Sequence, residues 1–398
     1  MRSMGVYLHI PFCVQKCAYC DFLSAPATRQ RQQEYVSALQ REIAWEAEQY
    51  AESEVKTIFF GGGTPSLLEA EEIAGILECL RKYYHVDAGA EITLEMNPGT
   101  ADQDKILKLK KCGVNRLSIG LQSADNAELQ MLGRIHTYED FLQTYHQARM
   151  AGFTNINIDL MSALPGQHME SWVRTLERAV ALQPEHISAY SLIIEDGTRL
   201  HDQRDAWAPV PDEEEDRQMY QMTKQILAEH GYHRYEISNY AREDFECRHN
   251  SIYWQRGVWH LSDYVGFGLG ACSTINNMRW ENTDDIKRYL LVFAEQNFER
   301  YDSRLTENAC VGECAKEAVT RLSEKEQIEE FMFLGLRMMQ GVSKQEFVES
   351  FGVRMSDLYS EVLGKWEKQG MLMQDKDCVR LTDAGIDVSN AVLADFLL

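Results

Sequence analysis

Cys13, Cys17 and Cys20 stand at C-x3-C-x2-C spacing, with Val14-Gln15-Lys16 in the first gap and Ala18-Tyr19 in the second. Thiolates are soft ligands that suit zinc or iron–sulfur centres. Structural zinc asks for a fourth Cys or His close by, and a ferredoxin-type cluster asks for a fourth Cys. Neither follows: Asp21 and Phe22 come next, and the following cysteine is Cys79. The pattern predicts a [4Fe–4S] cluster with three protein ligands and one iron open to a small molecule. A zinc knuckle, or three unrelated core thiols, is the competing reading.

Other chemistry-bearing residues recur where apolar runs end. Gly61-Gly62-Gly63-Thr64 follows Val55 to Phe60, Glu95 sits between Leu94 and Met96, and Gln122 and Asp159 close two later runs. Three glycines let backbone approach a ligand that side chains would block, although a tight strand-to-helix turn also uses them. Glu95 suits a ribose hydroxyl, and Arg134 suits a carboxylate. Farther on, His249-Asn250-Ser251-Ile252-Tyr253-Trp254 sets an imidazole among aromatics. Imidazole is a common axial ligand of haem iron, but a histidine so placed is more often a hydrogen-bonded core group. Cys310 and Cys314 share an i, i+4 spacing; two unrelated thiols is the better reading of them.

The elements that must position these residues alternate. Val6 to Phe12 is a predicted strand that ends at the first thiol. Arg29 to Tyr50 carries Tyr35, Leu39, Ile43 and Ala47 at helical intervals. Strand Val55 to Phe60, helix Glu69 to Tyr84 and strand Ile92 to Met96 follow. Strands Arg116 to Ile119, Ile156 to Leu160 and Ile187 to Leu192 come after further helices. Strands separated by helices mean a parallel sheet with crossovers. Six βα units are too few for a closed eight-stranded barrel, and ligands in such sheets collect at the carboxyl ends of the strands. The glycines, Glu95, Gln122 and Asp159 all lie there.

The core, with its cluster loop, is expected to span 1–210. An acidic run, Asp212 to Asp216, reads as a solvated helix start. An aromatic and glycine-rich extension, 211–300, carries the His249 motif and Gly266-Phe267-Gly268-Leu269-Gly270, whose glycines suit close backbone packing. A third unit, 301–398, reads as helices over Ser323 to Met339, Lys344 to Ser350 and Met355 to Gln369. A hairpin of Met371 to Met373 with Val379 to Leu381 follows, and Ser323-x-x-Glu326 forms a capping box at the start. That order is winged-helix-like. Its surface is not basic, so it suits a lid or partner-docking role rather than DNA.

Composition narrows the partners. Apolar residues make up 44% and charged residues 26% of the 398, as in an ordinary globular protein. Forty basic against 62 acidic residues give a formal charge of −22, which repels phosphate backbones and anionic lipid. Nucleic acid is therefore not an expected partner. No apolar run approaches the ~20 residues of a membrane span, and the chain enters its first strand almost at once, as no signal peptide would. Ten cysteines without regular pairing predict a reducing, cytoplasmic setting.

C-x3-C-x2-C after a first strand resembles the signature of radical S-adenosylmethionine (SAM) proteins. The resemblance implies SAM chelating the open iron, and an α/β fold with a six-stranded partial (β/α)6 barrel, open on one side, ahead of the winged-helix-like domain. Nearly the whole chain resembles the branch typified by oxygen-independent coproporphyrinogen III dehydrogenase. That likeness implies Tyr7, Gly62 and Glu95 at the cluster-bound SAM, and Gly63, Thr64, Gln122, Arg134 and Asp159 at a second SAM; Tyr19 is counted with these cofactor contacts.

Two families of the branch compete. The dehydrogenase oxidatively decarboxylates two propionates of a porphyrinogen; its relative, the HemW-type haem chaperone, binds haem and passes it on. Three departures favour the chaperone. The dehydrogenases continue C-x3-C-x2-C-x-C, whereas Phe22 stands here, and only twelve residues precede Cys13. The HNxxYW pattern of His249 to Trp254 also resembles the chaperones' haem motif, implying His249 as a haem ligand. The expected cofactors are then a [4Fe–4S] cluster, SAM and haem. The expected partners are haem-accepting proteins, respiratory ones among them, and a homodimer is compatible. Whether the chain is also an enzyme stays open, and a radical SAM methyltransferase or haem-degrading enzyme is a third reading.

Overall fold

The computed structural model describes residues 2–260, 262–294 and 315–398. Cys310 and Cys314 lie outside these residues. Strands β1 (Arg2–Ile10), β2 (Ser53–Gly62), β3 (His85–Met96), β4 (Arg116–Gln122), β5 (Ile156–Ser162) and β6 (His186–Ser191) pair in parallel and in chain order. Helices α1 (Arg29–Glu46), α2 (Ala70–Tyr83), α3 (Gln103–Cys112), α4 (Tyr138–Met150) and α5 (Met169–Ala181) make the main crossovers.

Side chains of a strand alternate between its two faces, and here the faces differ in kind. Val6, Leu8 and Ile10 of β1, Ile58 and Phe60 of β2, and Ile92 and Leu94 of β3 join a core with Tyr35, Leu39 and Ile43 of α1. The intervening residues, Tyr7, His9, Thr57, Glu91, Thr93, Glu95, Arg116, Ser118, Asn157 and Asp159, occupy the opposite, concave face. That face is polar although much of it is buried, and it is held by hydrogen bonds. His186 Nδ1 pairs with Asn157 Oδ1 at 2.6 Å, and Asn157 Nδ2 donates to Ser118 Oγ at 2.7 Å.

The predicted six strands form the middle of a wider sheet of twelve. Beyond β1, β9 (Tyr264–Phe267) pairs in parallel, and β10 (Cys272–Ile275), β11 (Met278–Asn282) and β12 (Lys316–Arg321) continue antiparallel. Beyond β6 lie β8 (Asn239–Ala241) and β7 (His233–Arg234), also antiparallel. The sheet does not close, since β12 and β7 are its two edges. Helices α6 (Glu213–Glu229), α7 (Arg248–Trp254) and α8 (Ile286–Val292) accompany these outer strands.

A second core packs Phe331, Met332, Phe347, Tyr359, Leu363, Val379 and Phe396. It unites α9 (Glu324–Gly335), α10 (Lys344–Phe351) and α11 (Met355–Lys368) with a small sheet of β13 (Val342–Ser343), β14 (Leu372–Gln374) and β15 (Cys378–Leu381). The Ser323 hydroxyl caps α9, and Glu326 returns the bond to Ser323 N at 2.7 Å. The helix stops at Gly335, short of the expected Met339, because the chain turns there to bring Val342 against it. A Cβ on Gly335 would sit 2.4 Å from Val342 Cγ1. The two cores meet through Glu330, which pairs with Arg256 at 3.1 Å and Arg279 at 2.9 Å. Arg337 also lies over the Trp254 ring at 4.3 Å.

Candidate functional site

The thiols sit in a loop clamped at its base. Phe12 bridges Ala25, Ala25 N donates to Pro11 O at 3.0 Å, and Cys13 N donates to Ala25 O at 3.3 Å. The glycine turn leaving β2 is zipped to the same entry, with Gly63 N on Ile10 O at 2.9 Å and Thr64 N on Phe12 O at 2.6 Å. A Cβ on Gly63 would meet Phe12 O at 2.5 Å, and one on Gly62, whose φ is +107°, would meet the His9 ring at 2.5 Å. These glycines are thus demanded by β1 and the cysteine loop, in addition to any approach of a ligand. At the tip, Ala18 N donates to Leu132 O at 2.9 Å and Leu200 N to Ala18 O at 2.8 Å.

Above the carboxyl ends of the strands lies a cavity of roughly 330 Å³, within the size of small-molecule sites. Cys13, Cys17, Tyr19, Cys20, Gly62, Gly63, Thr64, Glu95, Gln122, Arg134 and Asp159 all line it. Residues up to 146 positions apart in the chain, Cys13 to Asp159, therefore share one wall because β1 to β5 run parallel and end on one rim.

The charges in this wall are arranged against each other. Arg134 Nη2 donates to Asn97 Oδ1 at 2.7 Å and to Gly120 O at 2.8 Å, and Nη1 reaches Cys17 Sγ at 3.8 Å. Its Nε is buried without a partner among the described residues. Glu95 Oε2 accepts from Gly62 N at 3.2 Å. Burial pushes the Glu95 carboxyl up to about 8, and the neighbouring Asp159 charge adds to the rise. Burial also raises Asp159, although it accepts from Asn157 Nδ2 at 2.7 Å and Ser118 Oγ at 3.0 Å. Tyr190 donates to Gln122 Oε1 at 3.1 Å.

This donor set fits a cluster and SAM. Three thiols open into one cavity, and burial raises those of Cys13 and Cys20, so metal would have to displace their protons. Among the described residues no three His, Cys, Asp or Glu side chains converge as the ligands of a single ion do. The cavity then offers a cation for a carboxylate in Arg134 and carboxyl oxygens for hydroxyl or ammonium groups in Glu95 and Asp159.

Two expected contacts are elsewhere. Tyr7 does not line the cavity; its hydroxyl pairs with His9 Nδ1 at 3.1 Å and its ring stacks on Phe59 at 6.3 Å. His249 is only 1% exposed. Its Nδ1 pairs with Thr57 Oγ1 at 2.8 Å, its Nε2 with Tyr253 Oη at 3.0 Å, and its ring stacks on Phe59 at 5.1 Å. The expected haem ligand thus has both ring nitrogens hydrogen-bonded within the core. Burial, reinforced by the Arg116 charge, lowers its pKa to about 3, so the ring is neutral.

Sequence reasoning missed other lining residues, among them Asn97, Ser118, Ser188, Tyr190, Asn239 and Asn250. Alternation along β4 and β6 carries a signal for Ser118, Ser188 and Tyr190, since these share the concave face with Asp159. Asn239 and Asn250 carry none, because β8 and α7 reach the rim only through the antiparallel return of the chain.

Known proteins match this architecture throughout. Residues 7–179 match the model of the radical SAM superfamily, and residues 322–388 that of the HemN C-terminal domain. The chain is 34% identical over 395 residues to heme chaperone HemW of Bacillus subtilis, covering 99% of each chain. It is 35% identical to that of Lactococcus lactis, covering 100% of this chain and 98% of the other. It is also 34% identical to the mitochondrial radical S-adenosyl methionine domain-containing protein 1 of Bos taurus, covering 100% of this chain and 88% of that one. Among solved structures, coproporphyrinogen III oxidase HemN of Escherichia coli superposes with a TM-score of 0.83 at 26% identity, over 100% of this chain and 90% of its own. With its cysteine loop and open parallel sheet, the chain belongs to the HemW-type branch of the radical SAM superfamily.

Proposed function

We propose that this chain is a haem chaperone that binds haem and delivers it to haem-requiring proteins, with a [4Fe–4S] cluster and SAM as its resident cofactors. The observation that carries this reading is likeness along the whole chain. Identity to the B. subtilis heme chaperone is 34% with 99% of both chains covered, so the match spans cluster loop, outer strands and C-terminal domain. Phe22 supports the same reading: it is 62% exposed and lines the cavity where the dehydrogenase pattern continues with a cysteine.

Within the cavity, Cys13, Cys17 and Cys20 would hold the cluster. Arg134 would meet the SAM carboxylate, and Glu95 a ribose hydroxyl, with Gly62 N keeping the Glu95 side chain in place. Gly63, Thr64, Gln122 and Asp159 would frame further polar groups of one or two SAM molecules. When bound, cluster and SAM together supply one-electron chemistry; the protein supplies shape, charge and shielding from water. The haem acceptors are haem-requiring proteins, respiratory ones included. Cys79, Cys112, Cys247, Cys272 and Cys378 are unpaired, which supports a reducing, cytoplasmic setting. Among the described residues no helix is long and apolar enough to cross a membrane.

The second reading, oxidative decarboxylation of a porphyrinogen, is favoured by the HemN superposition. Mixing haem-loaded protein with a haem-free respiratory acceptor tests the proposal. The expected result is transfer of the Soret band to the acceptor faster than from free haem; a protein that takes up no haem would overturn it.

A further inference from the structure

The residues that continue α7, Gln255 to His260, are gripped by the C-terminal domain. Arg256 Nη1 donates to Ile252 O at 3.1 Å and Gln255 O at 3.0 Å, at the end of the helix. Its Nε donates to Glu330 Oε2 of α9 at 3.1 Å. Gly257, at φ +109°, passes so close to α10 that a Cβ there would meet Glu346 Oε1 at 2.5 Å. Trp259 donates its backbone N to Glu346 Oε1 at 2.8 Å and its indole Nε1 to Glu349 Oε2 at 2.6 Å. His260 Nε2 lies 3.3 Å from the other Glu346 oxygen. Three carboxylates of α9 and α10 thus hold the segment that leaves the HNxxYW helix.

His249, the expected haem ligand on that helix, pairs with Thr57 Oγ1 and Tyr253 Oη through its two ring nitrogens. Its ring also stacks on Phe59 at 5.1 Å and on Tyr7 at 6.5 Å. An iron bond at either nitrogen requires one of the two hydrogen bonds to be given up. Thr57 is fixed in β2, which is paired on both sides. The change therefore falls to α7, which carries both His249 and Tyr253. Glu91 fastens the start of α7, accepting from Arg248 N and His249 N, each at 3.1 Å. The other end is fastened by Arg256 and the segment that follows it.

We propose that residues 255–260 are a strap by which the C-terminal domain keeps α7 closed over His249, and that haem uptake requires its release. The inference rests on the haem-chaperone reading. Closed and open arrangements of α7 form a two-state element, and each contact made only in the closed state lowers the population able to take iron. The strap lies outside the cavity of the cysteines, none of its residues lining that wall, so its release leaves the cluster site intact.

Anaerobically reconstituted parent, Trp259→Phe and Arg256→Gln test the strap. Amide hydrogen exchange is followed over α7 without haem, and haem association is followed by the Soret band in stopped flow. Trp259→Phe deletes one hydrogen bond of the closed state, so exchange over α7 and the haem association rate are each expected to rise by roughly three- to tenfold. Arg256→Gln, which loses both the helix end and Glu330, is expected to act in the same direction. Exchange over α1 and the EPR spectrum of the reduced cluster are expected to stay parental. Parental exchange over α7 in Trp259→Phe would overturn the strap. Faster exchange with a parental haem rate would overturn its control of uptake. If Arg256→Gln loses the parent's circular dichroism, Trp259→Phe alone decides. A parent that takes up no haem overturns the chaperone reading and the control of uptake with it, while the exchange arm still decides whether the strap holds α7.

Discussion

A guanidinium nitrogen of Arg134 lies 3.8 Å from Cys17 Sγ, and the same side chain spans to Asn97 on the third strand's exit loop. Arg134 therefore ties the Cys17 thiol to the exit of the third strand with one rigid fork, across the wall proposed above to hold SAM. A lysine offers a point charge in place of that fork. Arg134→Lys is expected to lower SAM affinity and to alter the EPR spectrum of the reduced cluster, while iron and sulfide per chain stay at parental levels. Parental SAM affinity in the variant would remove Arg134 from the site.

Glu95 carries the pH dependence. Its carboxyl titrates near 8 when folded against an ordinary value of 4.5, so folding takes up a proton between those values. Its stabilising contribution is fully present below about pH 4.5 and is lost as pH rises through about 8. In SAM-free protein the melting temperature is expected to fall more steeply between pH 5 and 8.5 in the parent than in Glu95→Gln. Equal slopes would mean that Glu95 is not held neutral.

Gly63 tests how tightly the glycine turn holds the cysteine loop. Its added Cβ would press on Phe12 O at 2.5 Å, whereas one on Gly89 finds its nearest neighbour, Asp87 Oδ1, at 3.8 Å. Gly63→Ala is expected to displace the loop, at about 1–3 kcal/mol, and to retain less iron after reconstitution than Gly89→Ala. Equal iron contents would show that the loop yields freely.

On the far side of the sheet, Glu42 is buried and accepts from Tyr289 Oη at 2.5 Å, Asn282 Nδ2 at 2.6 Å and Gly268 N at 2.8 Å. It fastens α1 to the outer strands and α8, and burial raises its pKa to about 7. Tyr289→Phe leaves this carboxyl short of a donor and is expected to destabilise the protein by about 1–3 kcal/mol in urea unfolding. A change within error would mean that water replaces the hydroxyl.

The residues legible in the sequence are those set by local rules. Cys13, Cys17 and Cys20 announce themselves by spacing, and Glu95 and Asp159 by ending strands whose apolar neighbours mark the other face. Strands β7 to β11 are only two to five residues long, too short for a period of two to register, so the widened sheet was hidden. His249 shows the deeper limit. A ligand histidine and a braced one have the same letter and the same aromatic neighbours, and the bond to Thr57, 192 positions away, comes only from the fold.

The central claim is haem carriage rather than porphyrinogen oxidation, and one anaerobic experiment decides it. Reconstituted protein with SAM and reductant receives haem in one arm and coproporphyrinogen III in the other, with the Soret band and porphyrin products followed together. The account expects a saturable Soret band and no protoporphyrinogen IX. Turnover of coproporphyrinogen III to protoporphyrinogen IX, with no haem taken up, would contradict it.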